Sequence, residues 1–248
     1  MNYYNNISMM VRKIHTFQTL LKETPKNLKG KKLSSQNWIV RQLKDPYVEK
    51  AKQYSYRCRS AFKLLELNER HKIFTPGLNV VDCGAAPGSW TQVAVRLTNA
   101  DGKMMDKQLG KVVAIDKLPI HPIEGAITLG SMDFTSDLAQ ENLKAALEGK
   151  FADLVMSDMA PNSVGMRQLD HEKIIKLAYS ALKFAITVSR NGATFIVKVW
   201  DGNMANELEA NIKKYYRNVK IARPDATRDE SSEKFILAQG FKGIKAHS

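Results

Sequence analysis

The chain has 248 residues, 44% of them hydrophobic and 25% charged, the balance of a folded domain rather than a disordered one. No apolar run reaches the ~18–20 residues that cross a bilayer, and two cysteines, Cys58 and Cys83, are too few for a disulfide scaffold or a four-ligand zinc site. Lys and Arg number 38 against 25 Asp and Glu, a net charge of +13 that suits a polyanionic partner.

The surplus gathers at the start. Residues 1–44 hold nine Lys and Arg and one acid, Glu23. Residues 1–36 mix bases, Ser, Thr and Asn with Ile, Leu, Met and Phe, the composition of a mitochondrial transit peptide. A basic arm that touches RNA is the alternative, and one segment can be both. Residues 37–248 read as a single domain without internal repeats. Residues 60–71 predict an amphipathic helix with Phe62, Leu64 and Leu65 toward one side. Asn79 to Cys83 is a short apolar strand stopped by Gly84, and a helix follows over 90–97. A second strand spans 111–116, and a third is expected to end near Asp133. A helix over 137–147 and a strand over 152–158 come next. A long helix over 170–189 starts at an acidic cap candidate, Asp170, and stops before Asn191-Gly192. A strand over 193–200, a helix over 205–216 and strands over 219–223 and 235–239 complete the pattern. Strands alternating with helices imply an α/β fold, a mostly parallel seven-stranded sheet with helices on both faces.

One loop stands out. Asp82-Cys83-Gly84-Ala85-Ala86-Pro87-Gly88-Ser89-Trp90 leaves the first strand and enters a helix, where open α/β sheets bind ligands. Gly84 and Gly88 let the backbone pass close to a ligand without a Cβ in the way. Pro87 removes one N–H, whereas a pyrophosphate needs several convergent amides, so the loop suits an uncharged nucleoside-like ligand. Asp116 ends the next strand, where a carboxylate can accept from both ribose hydroxyls. Asp133 stands where the third strand should end, within reach of an adenine amino group. Each Asp alone is as readily a turn or helix cap; the ordered set favours a ligand site.

This loop resembles motif I of Rossmann-type S-adenosylmethionine-dependent methyltransferases. The D-x-G-A-A-P-G-x-W variant is shared mainly by RNA 5-methylcytosine enzymes and by the FtsJ family of ribose 2′-O-methyltransferases. The segment after the fourth core strand, Met156-Ser157-Asp158-Met159-Ala160-Pro161-Asn162, separates them. A cytosine C5 enzyme needs a thiolate nucleophile, and no cysteine lies in this segment or after it. Nor does the segment carry the Pro pair and aromatic of an exocyclic-amine methylase.

Three more residues sit oddly. Lys198 lies inside Thr194-Phe195-Ile196-Val197-Lys198-Val199-Trp200, where burial is costly unless the charge is paired; an edge lysine that snorkels is the alternative. Lys63 lies among Ala61, Phe62, Leu64 and Leu65, and Glu233 opens the last strand; each alone reads as a surface charge. Together with Asp158 they resemble the Lys-Asp-Lys-Glu tetrad of the FtsJ family, in segments like its F-K-L, S-D-M-A-P-N, V-K-V and S-x-E-x-[YF]. The resemblance runs from about Trp38 to Phe241. It implies S-adenosylmethionine as cofactor, held by Gly84, Ala85, Ala86, Pro87, Gly88, Ser89, Trp90, Asp116, Asp133 and Asp158, with no metal. It implies Lys198 as general base, its amine lowered from ~10.4 toward neutrality, and Asp158, Lys63 and Glu233 as orienting groups in a coupled set. Ser89 departs from the third Gly usual in bacterial members.

The nucleophile so implied exists only in RNA. Lys44, Lys50, Lys52, Arg57 and Arg59 are candidates to grip phosphates; Tyr47, Tyr54 and Tyr56 could stack on bases or pack in the core. The segments 37–46 and 55–60 resemble most the mitochondrial branch of the family, which methylates a uridine of large-subunit rRNA. The expectation is therefore a monomeric matrix enzyme with rRNA as partner. A cytosolic tRNA methyltransferase and an rRNA-binding assembly factor with secondary methylation are the competing readings.

Overall fold

The computed structural model describes residues 32–162 and 165–244, so the transit-peptide reading of the first segment falls almost wholly outside the described residues. The described residues open with two helices absent from the sequence reading, α1 (Leu33–Lys44) and α2 (Pro46–Gln53). The boundary drawn at residue 36 thus falls inside a helix. Asp45 separates the two helices: its side chain accepts from the Tyr47 amide at 3.0 Å, with Pro46 at the first helical position. That is the cap-plus-proline start signal, and it was legible in the sequence.

Then follow α3 (Ala61–His71), β1 (Asn79–Cys83), α4 (Ser89–Thr98), β2 (Lys111–Ile115), β3 (Ala126–Leu129), α5 (Asp137–Ala146) and β4 (Ala152–Ser157). The chain ends with α6 (Arg167–Val188), β5 (Ser189–Trp200), α7 (Asn203–Tyr215), β6 (Tyr216–Ala222) and β7 (Glu233–Phe241). The seven strands form one sheet in the order β3-β2-β1-β4-β5-β7-β6. Pairing is parallel from β3 to β5, and β7 runs antiparallel to both its neighbours. Both faces are buried, as a mostly parallel sheet requires. Val80, Val112, Leu154 and Ile196 face the layer of α3 and α4, while Val81, Val113, Val155 and Val197 face α5, α6 and α7. The period-two alternation explains why the strands read as unbroken apolar runs. No helix among the described residues is long and apolar enough to cross a membrane.

Three boundaries differ from expectation. The third strand ends at Leu129, four residues before Asp133. The long helix starts at Arg167 rather than Asp170, because Asp170 lies inside the first turn and reaches back to accept from the Gly165 amide at 3.1 Å. The fifth strand begins at Ser189, which pairs with Ala152 before a register shift; the helix passes into it without the turn that Asn191-Gly192 suggests.

Two features position the site. β1 has β2 on one side and β4 on the other, so a crevice opens at its carboxyl end. Because β7 is antiparallel, its first residues meet the last residues of β5, with Trp200 opposite Glu233 and Lys198 opposite Phe235.

Tyr47, Tyr54 and Tyr56 all pack on Phe62, with ring centroids at 5.5, 6.5 and 5.9 Å. This resolves the base-stacking alternative for these tyrosines in favour of packing. Phe62 is fully buried and anchors α2 to the domain. Phe62→Ala should cost roughly 3–5 kcal/mol of unfolding free energy, read as a shifted urea midpoint; a change under about 1 kcal/mol would show that the anchor lies elsewhere.

Candidate active site

The glycine loop leaves β1 and enters α4 through a cis Ala86–Pro87 peptide. Its amides are already engaged. Gly84 and Ala85 both donate to the Ile115 carbonyl at 2.9 and 3.0 Å, Ala86 donates to Asp116 Oδ2 at 2.9 Å, and Gly88 donates to the Ala85 carbonyl at 2.6 Å. Pro87 has no N–H. A phosphate would find no convergent donors here, in line with the expectation of an uncharged ligand. The two glycines also make room for close protein contacts. A Cβ at Gly84 would stand 2.5 Å from Met159 Cγ and 2.8 Å from its Cα; one at Gly88 would meet Ile123 at 2.6 Å and the Arg57 guanidinium at 2.8 Å.

Asp116 sits at the carboxyl end of β2. Its Oδ1 accepts from the Leu118 amide at 2.8 Å and its Oδ2 from Ala86. A carboxylate oxygen has two acceptor sites, so Asp116 keeps capacity for hydroxyl donors beside the loop. Asp133 is exposed, and its Oδ1 accepts from the Thr135 amide at 2.9 Å and hydroxyl at 2.7 Å. Those bonds hold its carboxyl below the usual range. Asp133 is therefore a turn residue, four residues beyond the strand, while Ser136 caps the following helix. Trp90 and Ser89 lie under the loop rather than along it. Trp90 is 2% exposed; its indole N–H donates to the Ser60 carbonyl at 2.9 Å and its ring lies 5.4 Å from Phe235. Ser89 Oγ accepts from the Cys58 thiol at 3.0 Å.

The four charged residues singled out in the sequence come together from four elements. Lys63 Nζ and Glu233 Oε1 are 2.5 Å apart. Lys198 Nζ lies 3.0 Å from Asp158 Oδ1 and donates to the Asp158 carbonyl at 2.5 Å. All four side chains are mostly buried. Phe235 joins the two pairs: it stands opposite Lys198 in the sheet, and the Lys63 ammonium lies 5.9 Å from its ring. Burial pushes the Asp158 carboxyl up, but the Lys198 and Lys63 charges and the bonds from Lys198 and Ser60 overcome it and hold the group below the usual range. Asp158 is therefore a carboxylate at neutral pH. A solvent-directed Lys198, the alternative reading of that strand, is not what the fold contains.

Two contributors were missed. Ser60 donates to Asp158 Oδ2 at 2.9 Å and accepts from Trp90, so one residue links the tetrad to the loop; a lone serine before a helix carries no signal for this. Arg57 donates to the carbonyls of Pro87 at 2.8 Å, His121 at 2.8 Å and Pro122 at 2.7 Å, stapling the glycine loop to the segment after β2. Its expected role on phosphates gives way to this one. Arg59 likewise pairs with Asp45 at 2.7 Å and donates to the Ala226 carbonyl at 2.7 Å, and Lys50 is buried against Tyr47. Of the five bases proposed to grip phosphates, Lys44 and Lys52 are exposed.

A family model described as FtsJ-like methyltransferase matches residues 56–241. A Drosophila melanogaster protein named rRNA methyltransferase 2, mitochondrial, is 51% identical over 222 residues, 90% of this chain and 89% of its own. The Ribosomal RNA large subunit methyltransferase E of Ruegeria pomeroyi is 46% identical over 223 residues, 90% of this chain and 95% of its own. The crystal structure of a Plasmodium falciparum ribosomal RNA methyltransferase superposes with a TM-score of 0.66 at 26% identity, over 76% of this chain and 100% of that one.

Beneath the loop, Asp82 is fully buried and accepts from the Thr91 hydroxyl at 2.7 Å. Burial pushes its carboxyl up to about 7 from the ordinary 3.8, with the charges of Asp158 and Asp116 adding. The folded state thus keeps a proton that the unfolded chain releases near 3.8, so stability declines as pH rises from there to about 7. Asp82→Asn should remove this decline, giving a flatter change in urea midpoint between about pH 4 and about pH 7 than wild type; parallel curves for the two proteins would refute it.

Proposed function

The chain belongs to the FtsJ-like methyltransferase family, and from that premise we propose that it methylates a ribose 2′-oxygen, that of a uridine, in mitochondrial large-subunit rRNA, with S-adenosylmethionine as donor. Relatives named for rRNA methylation, one of them mitochondrial, support the substrate and the compartment. The reaction class rests on one observation, the buried Lys198–Asp158 and Lys63–Glu233 pairs at the mouth of the glycine turn.

The residues present fit the cofactor. Amides engaged within the protein suit a nucleoside rather than a phosphate. The Asp158 carboxylate beside the loop suits a cationic sulfonium. Gly84, Ala85, Ala86, Pro87, Gly88, Asp116, Asp133 and Asp158 would hold it, with Ser89 and Trp90 supporting the loop from below. When bound, the cofactor supplies an electrophilic methyl group.

The chain's own residues do the remaining work. The Lys198 amine, in its neutral form, accepts the 2′-hydroxyl proton while the oxygen gains the methyl group. The Asp158 carboxylate and carbonyl fix Lys198 Nζ in place, and Ser60 fixes the carboxylate. Lys63 and Glu233, paired on the far side of Phe235, present a donor and an acceptor that orient the ribose. Burial keeps water from competing for these groups.

Lys198→Ala should abolish methyl transfer while S-adenosylmethionine affinity by calorimetry stays within about twofold of wild type, as expected for loss of a proton acceptor alone. Retained turnover would remove Lys198 from the role of base. Asp116→Ala should weaken the cofactor about tenfold or more, the order of one lost charge-assisted hydrogen bond. Comparing 2′-O-methyl maps of mitochondrial rRNA with and without the gene tests substrate and compartment together; a lost site in cytosolic tRNA and none in rRNA would overturn both.

A further inference from the structure

A cavity of about 680 Å³ opens beside the tetrad, outside the residues given roles above. Its walls include Trp200 from the end of β5, Arg167 and His171 from α6, Asn203 from α7, and Ser232. None of the four tetrad side chains lines it, and it meets the tetrad through two neighbours of Glu233. Ser232 is bonded to Glu233 along the chain, and Trp200 is the cross-strand partner of Glu233. The half-buried indole packs against the core cluster covered by α6 and α7, at the strand end, one cross-strand pair from Glu233.

The rest of the wall is held in place. His171 Nε2 donates to the Trp200 carbonyl at 3.2 Å. A Cβ at Gly202 would stand 2.9 Å from the imidazole, so glycine there makes room for the ring. Lys234 is paired with Asp201 at 2.6 Å, which leaves Arg167 as the cation of the wall, exposed and without a hydrogen bond or ion pair among the described residues. One cation beside two aromatic rings is poor provision for a phosphate and good provision for a planar, hydrogen-bonding ring. Splayed RNA bases are held on aromatic and guanidinium planes in this way. The volume lies in the range of sites for ligands of nucleoside size.

Resting on the ribose-methylation reading, we propose that this cavity seats the base of the acceptor nucleotide, stacked on Trp200 with Arg167 and Asn203 at its edge. A ribose held between Lys198 and Glu233 carries its base on the carbon next to the reacting hydroxyl. The base must therefore leave the tetrad by its nearest open side, and Trp200 and Ser232 line such an opening.

The test uses the full chain and an rRNA fragment containing the nucleotide that the wild-type protein methylates. Trp200→Ala should raise KM for this RNA roughly tenfold, the order of one lost base stack, with S-adenosylmethionine affinity unchanged and Trp200→Phe restoring most of the loss. Arg167→Ala, on an exposed helix start away from the tetrad, should raise KM severalfold and guards against misfolding of the Trp200 variant. The same fragment with an abasic acceptor that keeps its 2′-hydroxyl supplies the decisive arm. Wild type and Trp200→Ala should then react alike, because the contact is already gone. An undiminished gap on the abasic RNA, an unchanged KM, or coupling to a flanking base instead would each overturn the assignment. Failure of the wild-type protein to form any 2′-O-methyl nucleotide would sink the underlying reaction, and is read separately in the wild-type arm.

Discussion

Two lysines and two carboxylates share one buried spot at the carboxyl edge of a parallel sheet, and their mutual neutralisation is the constraint on which the rest depends. Removing an ion from water costs several kcal/mol, and only close partners with further hydrogen bonds offset it. Here Lys198 has both the carboxylate and the carbonyl of Asp158, and Lys63 has Glu233. Truncating one member of a pair would leave its partner's charge to its remaining hydrogen bonds, as Ser60 would remain on Asp158. The geometry exists because β7 runs against its neighbours: a parallel strand in that place would bring its last residue, not Glu233, to the edge where Lys198 ends.

The surroundings hold Glu233 in place from the other side. The segment between β6 and β7 is tied to the amino-terminal helices by the buried Glu66, which accepts from the Ala226 amide at 3.0 Å and the Tyr47 hydroxyl at 3.2 Å. Arg59 grips the Ala226 carbonyl, and Asp45 pairs with both Arg59 and Arg228. Arg223 donates to the carbonyls of Arg228, Asp229 and Glu233. Residues 45–59 thus belong to the domain mechanically. They fix one end of the strand that carries a tetrad carboxylate, while Arg57 in the same segment fixes the glycine loop.

The sheet was legible because its strands are short, apolar and punctuated, and because both faces are buried. The tetrad was legible because each member violates a local rule: a lysine within a β-branched strand, an acid after a core strand. What the sequence hid was the destination of ordinary-looking polar groups. Arg57 and Arg59 carry the same charge as Lys52, yet they are engaged by carbonyls and a carboxylate while Lys52 is exposed. Nothing local separates an arginine that meets a phosphate from one that staples two loops; only tertiary contact does. Asp133 shows the opposite error, because a residue that fixes a turn with its own side chain was read as the end of a strand.

This redistribution changes how the net charge of +13 should be understood. A composition argument counts every base as a potential phosphate contact. The fold withdraws Arg59, Lys63 and Lys198 from that count by pairing or burying them, and Arg57 and Arg223 by engaging them with carbonyls. Residues 1–44 hold nine bases with a single acid. Attraction to a polyanion reaches about a Debye length and weakens with salt, and by sequence most of the surplus positive charge lies in that leading segment. The walls of the proposed base site offer aromatic and hydrogen-bonding groups instead, so in the proposed reading attraction and discrimination draw on different parts of one chain.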